Sequence, residues 1–341
     1  MSPMSFSTFH LFSLPPWMTA AEMMGNELDQ ARWLDDLGFD EAWLAEHNAR
    51  EYGIIGSLQV AAAALAASTK RVRIGAAVTR LPLHHPLHTA EDLAAVDVLS
   101  NGRFDWGIGK GYDPLEFETY GIPFEERDGR WEEGLDIVLN MWRDGHIKHD
   151  GKYYHIPETE LFPKTVQKPH PPVFMMVTQS DASVEFAAKR LLPVIFGQGP
   201  DWDDAKHKME LYRSTATAAG HAKADIDATM ARISQLKQIH IAPNQQQARD
   251  EYERGLMWYF SISANRGMFG FNKEPQPYDY YLNHRSVILG TASQVTDQIN
   301  EYREYTGING IVCWFNCGGQ PQPQVRRSME EFSSKVMPAI R

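Results

Sequence analysis

The sequence predicts an α/β protein built as a closed parallel β/α barrel with insertions, and three observations carry that expectation. Strand-like runs alternate with helix-like runs along the whole chain, the pattern of repeated β/α units. The strand-like runs fall near 6–12, 40–45, 71–78, 103–109, 172–178, 193–197, 229–241 and 309–315, and eight of them is the number that closes such a barrel. A length of 341 residues would suggest two domains by itself. A β/α barrel of about 250 residues with insertions is nevertheless one domain, so residues 1–341 are read as a single barrel domain.

The helical elements follow from apolar spacing. Met24, Leu28, Ala31, Leu34 and Leu37 share one face of a helix, and Trp131, Leu135, Val138, Leu139 and Trp142 share another; each stripe is expected to pack on the outside of the barrel. Two segments break the rhythm. Residues 145–170 contain an Asp150-Gly151 turn signal and three prolines, and read as an insertion. Residues 260–289 mix Gly, Pro, Asn and aromatics without helical period and read as a lid loop, after which Thr291 and Gln294 form a capping box that restarts a helix.

Composition excludes several classes. Hydrophobic content of 43% suits a large core, and 44 acidic against 33 basic residues give a formal charge of −11. With no dense Lys/Arg run, nucleic acid is not an expected partner. Cys313 and Cys317 are too few for a disulfide framework and read as reduced thiols. The N-terminal apolar stretch Phe6 to Leu14 lacks an early positive charge, and no apolar run reaches the roughly 18 residues of a membrane helix. A cytoplasmic enzyme without a membrane partner is therefore expected.

In a parallel β/α fold successive strands deliver their C-terminal ends to one face, where loops build the site. Three strand-like runs end in Glu46-His47, in Ala77-Val78 and in Gly109-Lys110-Gly111. A histidine, a small-residue strand end and a glycine-flanked cation should meet there. His47 has the near-neutral pKa that suits a general acid or base, against the alternative of a hydrogen-bonded strand terminus. The strand ending in Thr178 runs into a helix that starts near Asp181, so Ser180 and Ser183 could cap that helix or cradle an anion at its N-terminus. His84, His85 and His88 invite a metal reading, but no matching carboxylate set accompanies them and no metal is expected. Pro86 fits a helix start. Phe12 and Ser13, and Trp314, Phe315 and Asn316, lie at the first and last strand ends, where they would line a substrate pocket or pack in the core.

The runs EAWLAEHN (41–48), IGAAVTRLPLHHP (74–86), AEDLAAVDVLSNGRFDWGIGKGY (90–112), GRWEEGLDIV (129–138), PPVFMMVTQSDASVEFAAKRLLPVI (171–195) and GTASQV (290–295) together resemble bacterial luciferase and the flavin-dependent monooxygenases named after it. The resemblance covers nearly the whole chain and is weakest between about 200 and 288. It implies a luciferase-like (β/α)8 TIM barrel with a mobile loop after the seventh strand covering the site. It implies that His47 assists catalysis, that the Ala77–Val78 bond is a cis peptide beneath the flavin ring, and that Lys110 and Arg130 approach the flavin phosphate. Ser180 and Ser183 would then be the phosphate cradle, and Gly109 stands where luciferase has a reactive cysteine. Luciferases often carry a second histidine where this chain has Asn48, which speaks against the luciferase reaction itself.

The resemblance further implies FMN, reduced by a separate flavin reductase. Its reaction with O2 would give a flavin C4a-peroxide that places one oxygen atom on a small organic substrate, while water carries off the other. A homodimer is implied as well, with the Ala-rich 60–68 helix suited to close packing. The alternatives are a deazaflavin-dependent oxidoreductase working by hydride transfer, a noncatalytic flavin-binding subunit and, more remotely, a metal-dependent hydrolase.

Overall fold

Eight parallel strands close on one another in the computed structural model, which describes residues 3–198, 201–264, 276–283 and 287–340. They are β1 (Ser5–His10), β2 (Glu41–Leu44), β3 (Arg73–Ala76), β4 (Phe104–Gly109), β5 (Val173–Val177), β6 (Val194–Phe196), β7 (Ser234–Ile241) and β8 (Gly310–Trp314). Each pairs in parallel with the next, and β8 returns to β1 with Ser5 opposite Gly310. All eight expected strands are present. The seventh is shorter than its apolar run suggested, because Lys223–Met230 is a helix and β7 begins only at Ser234. The third stops at Ala76, and Thr79–Arg80 resumes beside Ile108 and Gly109 of β4.

Side chains alternate across each strand, which divides the apolar residues into two layers. Ala42 and Leu44 of β2 and Phe104, Trp106 and Ile108 of β4 join the layer between barrel and helices. Trp43, Phe174, Leu236, Val312 and Trp314 belong to a second cluster inside the barrel. Close packing explains two glycines on that inner face. A Cβ on Gly75 would collide with the Trp43 indole, and a Cβ on Gly107 would collide with the Ala76 carbonyl oxygen and lie 3.3 Å from the same ring. The edge of Phe174 meets Trp43 with centroids 5.1 Å apart.

The outer helices are placed by their apolar stripes. In Arg127–Asp144, Trp131, Leu135, Val138 and Trp142 are buried as expected, and the Trp142 indole N–H donates to Ala90 O at 2.9 Å. The stripe of Ala20–Leu37 is rotated from the expected one: Ala31 and Leu34 are buried, but Met24 is exposed and Met23, Glu27 and Gln30 take the inner face. Two polar residues are tolerated there because each has a hydrogen-bond partner, Glu27 with the buried His10 at 2.8 Å and Gln30 with the half-buried Gln322 at 2.7 Å.

The 145–170 insertion is an antiparallel hairpin, His146–Asp150 with His155–Glu160, closed where the Gly151 N–H donates to Tyr154 O at 3.0 Å. The expected lid at 260–289 is more regular than its composition suggested. The helix Gln245–Ala264 runs into it, Tyr278–Asn283 is helical, and Val287–Gly290 pairs with β7; the rest of that loop lies outside the described residues. The capping box at Thr291 and Gln294 is formed.

Two glycines test the packing with opposite signs. Gly25 is exposed within a helix, with no atom within 4 Å of the place a Cβ would take, so Gly25→Ala is expected to stabilise by about 0.5–1 kcal/mol. Gly107→Ala is expected to destabilise by about 1–3 kcal/mol or more through overpacking against Ala76 and Trp43. Urea unfolding of the two variants beside the wild type measures both.

Candidate active site

His47 follows β2 at the C-terminal face of the barrel, as its sequence position requires. Its Nδ1 lies 3.1 Å from Glu116 Oε1 and 3.1 Å from the Tyr52 hydroxyl. Glu116 comes from the short helix Pro114–Thr119 after β4 and is buried. Its carboxylate also accepts the Asn48 backbone N–H at 3.0 Å and lies 2.6 Å from Arg80 Nη1. Arg80 itself is buried, and its other terminal nitrogen reaches Glu46 at 3.1 Å and the Asn48 side-chain oxygen. Glu46 is closed off by the His84 imidazole at 2.7 Å and the Leu58 N–H at 3.1 Å. One guanidinium thus joins two carboxylates, and each carboxylate holds one imidazole.

The electrostatics follow from this wiring. Burial raises the Glu116 carboxyl, but the His47 hydrogen bond, the His47 and Arg80 charges and the Asn48 N–H outweigh it and hold Glu116 at about 2. Burial lowers His47, and Arg80 adds to the shift, although Glu116 pulls the other way. An ionised Glu116 facing a neutral imidazole selects the tautomer with hydrogen on Nδ1, which leaves Nε2 with its lone pair. Burial lifts the Tyr52 phenol further above its usual range, so Tyr52 stays neutral; with hydrogen on His47 Nδ1 its hydroxyl accepts from the imidazole and is free to donate to the Tyr112 hydroxyl at 3.2 Å.

Sequence reasoning missed Glu116, Tyr52 and Arg80. Glu116 stands on a six-residue helix, too short for an apolar stripe to show which side chains turn inward, and nothing in its local pattern marks it as buried. Asn48, noted only as a departure from luciferase, here ties the network together: its amide N–H2 donates to the Tyr120 hydroxyl at 2.6 Å while its oxygen accepts from Arg80.

A second cluster lies around the start of the Arg127–Asp144 helix. Lys110 Nζ is 3.2 Å from Asp128 Oδ1 and 5.0 Å from the Trp131 ring centroid. Arg130 pairs with Glu126 at 2.7 Å and sits 5.2 Å from the Tyr153 ring. Trp131 then meets Phe186 of the Asp181–Lys189 helix, with ring centroids 4.9 Å apart. The Arg127–Asp144 helix, whose Trp131 lies under Lys110, therefore packs on the helix that starts after Ser180. Ser180 caps that helix by accepting the Ser183 N–H at 3.3 Å, and Thr178 lies against Gly197. Between the two clusters, the Ala77–Val78 peptide is cis and Val78 packs against Gly109, where a Cβ would come within 2.9 Å of it.

The remaining expected pocket residues divide. Trp314 joins the inner cluster, edge-on to Phe9 and Tyr259 at 5.4 and 4.8 Å. Phe12 is buried in the layer between barrel and helices, and Ser13 donates to Tyr52 O at 2.8 Å. Asn316 is taken up by Glu27 at 3.1 Å and by the Gln320 N–H at 2.7 Å, which makes it a support for the buried His10–Glu27 pair rather than a pocket wall. His84 serves Glu46 and His85 caps a helix; among the described residues no group of three or more His, Cys, Asp or Glu side chains could hold a metal ion. Cys313 and Cys317 are free and buried. Among the described residues no helix is long and apolar enough to cross a membrane.

A phosphate-bearing flavin would find the groups it needs here. Lys110 and Arg130 supply the cations, the buried Trp131 Nε1 has no hydrogen-bond partner among the described residues, and Gly109 lets Val78 of the cis peptide pack against the strand end. The donor set fits.

Such a barrel, with an imidazole–carboxylate pair and a cation cluster on one face, defines a β/α-barrel enzyme. The chain belongs to the luciferase-like monooxygenase family, whose sequence pattern matches residues 4–309. It is 28% identical to the alkanal monooxygenase alpha chain of the Kryptophanaron alfredi symbiont, over 99% of both chains. Among solved structures it resembles monooxygenase RslO1 from Streptomyces bottropensis, at 26% identity and a TM-score of 0.88 over 98% of this chain and 99% of that one. The fold alone is shared with the oxygenating constituent of 3,6-diketocamphane monooxygenase from Pseudomonas putida in complex with FMN, at 22% identity and a TM-score of 0.82 over 99% of both chains. It is shared too with an F420-dependent secondary alcohol dehydrogenase, at 16% identity and a TM-score of 0.75 over 99% of both.

The Glu116 linkage has a defined sign. Its folded value, about 2, lies below its ordinary 4.5, so its contribution is full above pH 5 and is lost as pH falls through about 2. Glu116→Gln is expected to cost on the order of 3 kcal/mol at pH 6, a gap that closes toward pH 2. Chemical denaturation of both proteins across that range measures the gap.

Proposed function

We propose that this protein is an FMN-dependent monooxygenase in which reduced FMN, supplied by a separate reductase, and O2 oxygenate a small organic substrate. The observation that carries the reading is the pair of a partly buried His47 and a buried Glu116 on the same barrel face as the Lys110 and Arg130 cluster, in a chain of this family. Bound reduced flavin would supply activation of O2 and transfer of one oxygen atom. His47 handles the proton: Nε2 accepts or returns it, while Glu116 fixes the ring through Nδ1 and stabilises the imidazolium that forms. Glu46 and Glu116 carry two negative charges against one on Arg80, which offsets part of the cost that burial sets on a transient positive charge at the imidazole. Lys110, Arg130 and the backbone around Ser180 and Ser183 would hold the phosphate; Thr178, Ala77, Val78 and Gly109 would flank the ring. Trp314 and its aromatic neighbours would form an apolar substrate wall that keeps water out. A homodimer belongs to the same proposal.

The deazaflavin reading shares the fold and is separated by reactivity, since reduced deazaflavin is not rapidly reoxidised by air. A noncatalytic flavin-binding subunit would have no need of a histidine wired to a buried carboxylate, and the His47 wiring counts against it.

The test mixes purified protein and photoreduced FMN with oxygenated buffer in a stopped-flow spectrometer, without organic substrate. Oxidised FMN is expected to return more slowly than in free solution, and His47→Ala is expected to shorten that delay. Return at the free-solution rate in the wild type would overturn the flavin–oxygen reading, and identical traces for the two proteins would overturn the role of His47.

A further inference from the structure

The 146–160 hairpin interrupts the barrel and has no part in the reading above, yet it is fastened beside Arg130 with unusual completeness. Glu133, one turn along the helix from Arg130, accepts the Tyr154 N–H at 2.9 Å, the Tyr153 N–H at 3.1 Å and the His149 imidazole at 3.0 Å. These bonds and the His149 charge outweigh burial and lower the Glu133 pKa, so the carboxylate is ionised. Two glycines make the fastening possible. A Cβ on Gly151 would collide with the Glu133 carboxylate, and one on Gly129 would come within 2.6 Å of the Tyr153 ring. Tyr153 therefore lies flush on the helix backbone next to Arg130. The Arg130 guanidinium sits 5.2 Å from the Tyr153 ring centroid and 6.0 Å from that of Tyr154, while Glu126 holds it at 2.7 Å. Tyr154 is buried and is itself wedged by His85, whose ring meets it edge-on at 5.7 Å.

A guanidinium held between a carboxylate and two aromatic rings loses little freedom when it takes up an anion, which is how preorganisation raises affinity. We propose that this hairpin is an arm of the phosphate site, and that Glu133 is the positioning residue through which the arm holds Arg130 and selects phosphorylated FMN over riboflavin. The inference rests on the flavin reading.

Riboflavin differs from FMN only in lacking the phosphate, so the ratio of the two affinities isolates the arm. Equilibrium dissociation constants for oxidised FMN and riboflavin, from flavin fluorescence titration of the full chain, are measured for wild type, Arg130→Ala, Glu133→Ala and the double variant. Wild type is expected to prefer FMN, Glu133→Ala to lose about tenfold in FMN affinity with riboflavin binding within about twofold, and the double variant to be no weaker than Arg130→Ala alone. If Glu133→Ala fails to fold, Tyr153→Ala and Tyr153→Phe replace it: the first is expected to lose the preference, and the second, which keeps the aromatic face, to retain it. A preference lost in Arg130→Ala but kept in Glu133→Ala or Tyr153→Ala would overturn the arm while leaving the phosphate site standing. Equal wild-type affinities would overturn the arm and the phosphate site together while leaving a flavin site. Binding of neither flavin would overturn the flavin reading itself and this inference with it.

Discussion

Arg80 is the group on which the candidate site depends. A buried guanidinium is costly to desolvate and persists only where anions and hydrogen-bond acceptors surround it. Here Glu46 and Asn48 come from the loop after β2, and Glu116 from the helix after β4. Removing any one carboxylate would leave charge buried without full compensation. The cluster therefore fixes the spacing of loops that are distant in sequence, and His47 and His84 inherit their positions from it.

The barrel supplies the frame for that cluster through close packing. Trp43 fills the interior and leaves no room for a side chain on Gly75, and the Ala76 carbonyl oxygen of β3 leaves none on Gly107 of β4. Just beyond, the strand-like pairing of Thr79–Arg80 with Ile108–Gly109 carries Arg80 to the face where Glu116 waits.

The charged groups on this face sort into two chemistries. Around His47 the carboxylates are buried and ionised and the imidazole is neutral, an arrangement suited to moving a proton. Around Lys110 and Arg130 the cations are partly exposed, with Asp128 and Glu126 beside them, an arrangement suited to holding an anion that arrives from solvent. Gly109 and Val78 lie between the two, with the side chain of one missing so that the other can pack.

Much of this was legible in the chain itself. Apolar periodicity located all eight strands, because strand and helix spacings are local properties, and the strand ends named His47, Ala77-Val78 and Lys110 because parallel topology sends those ends to one face. Local pattern failed where partners decide. The inner face of Ala20–Leu37 admits Glu27 and Gln30 because His10 and Gln322 meet them there, and no helical stripe can announce that. Asn316 sits at a strand end as expected, yet its amide belongs to Glu27 and Gln320. Glu116, Tyr52 and Arg80 were invisible for the same reason: burial of a charge depends on which counter-charge lies across the fold, and that is decided only when β2, β3 and β4 bring their loops together.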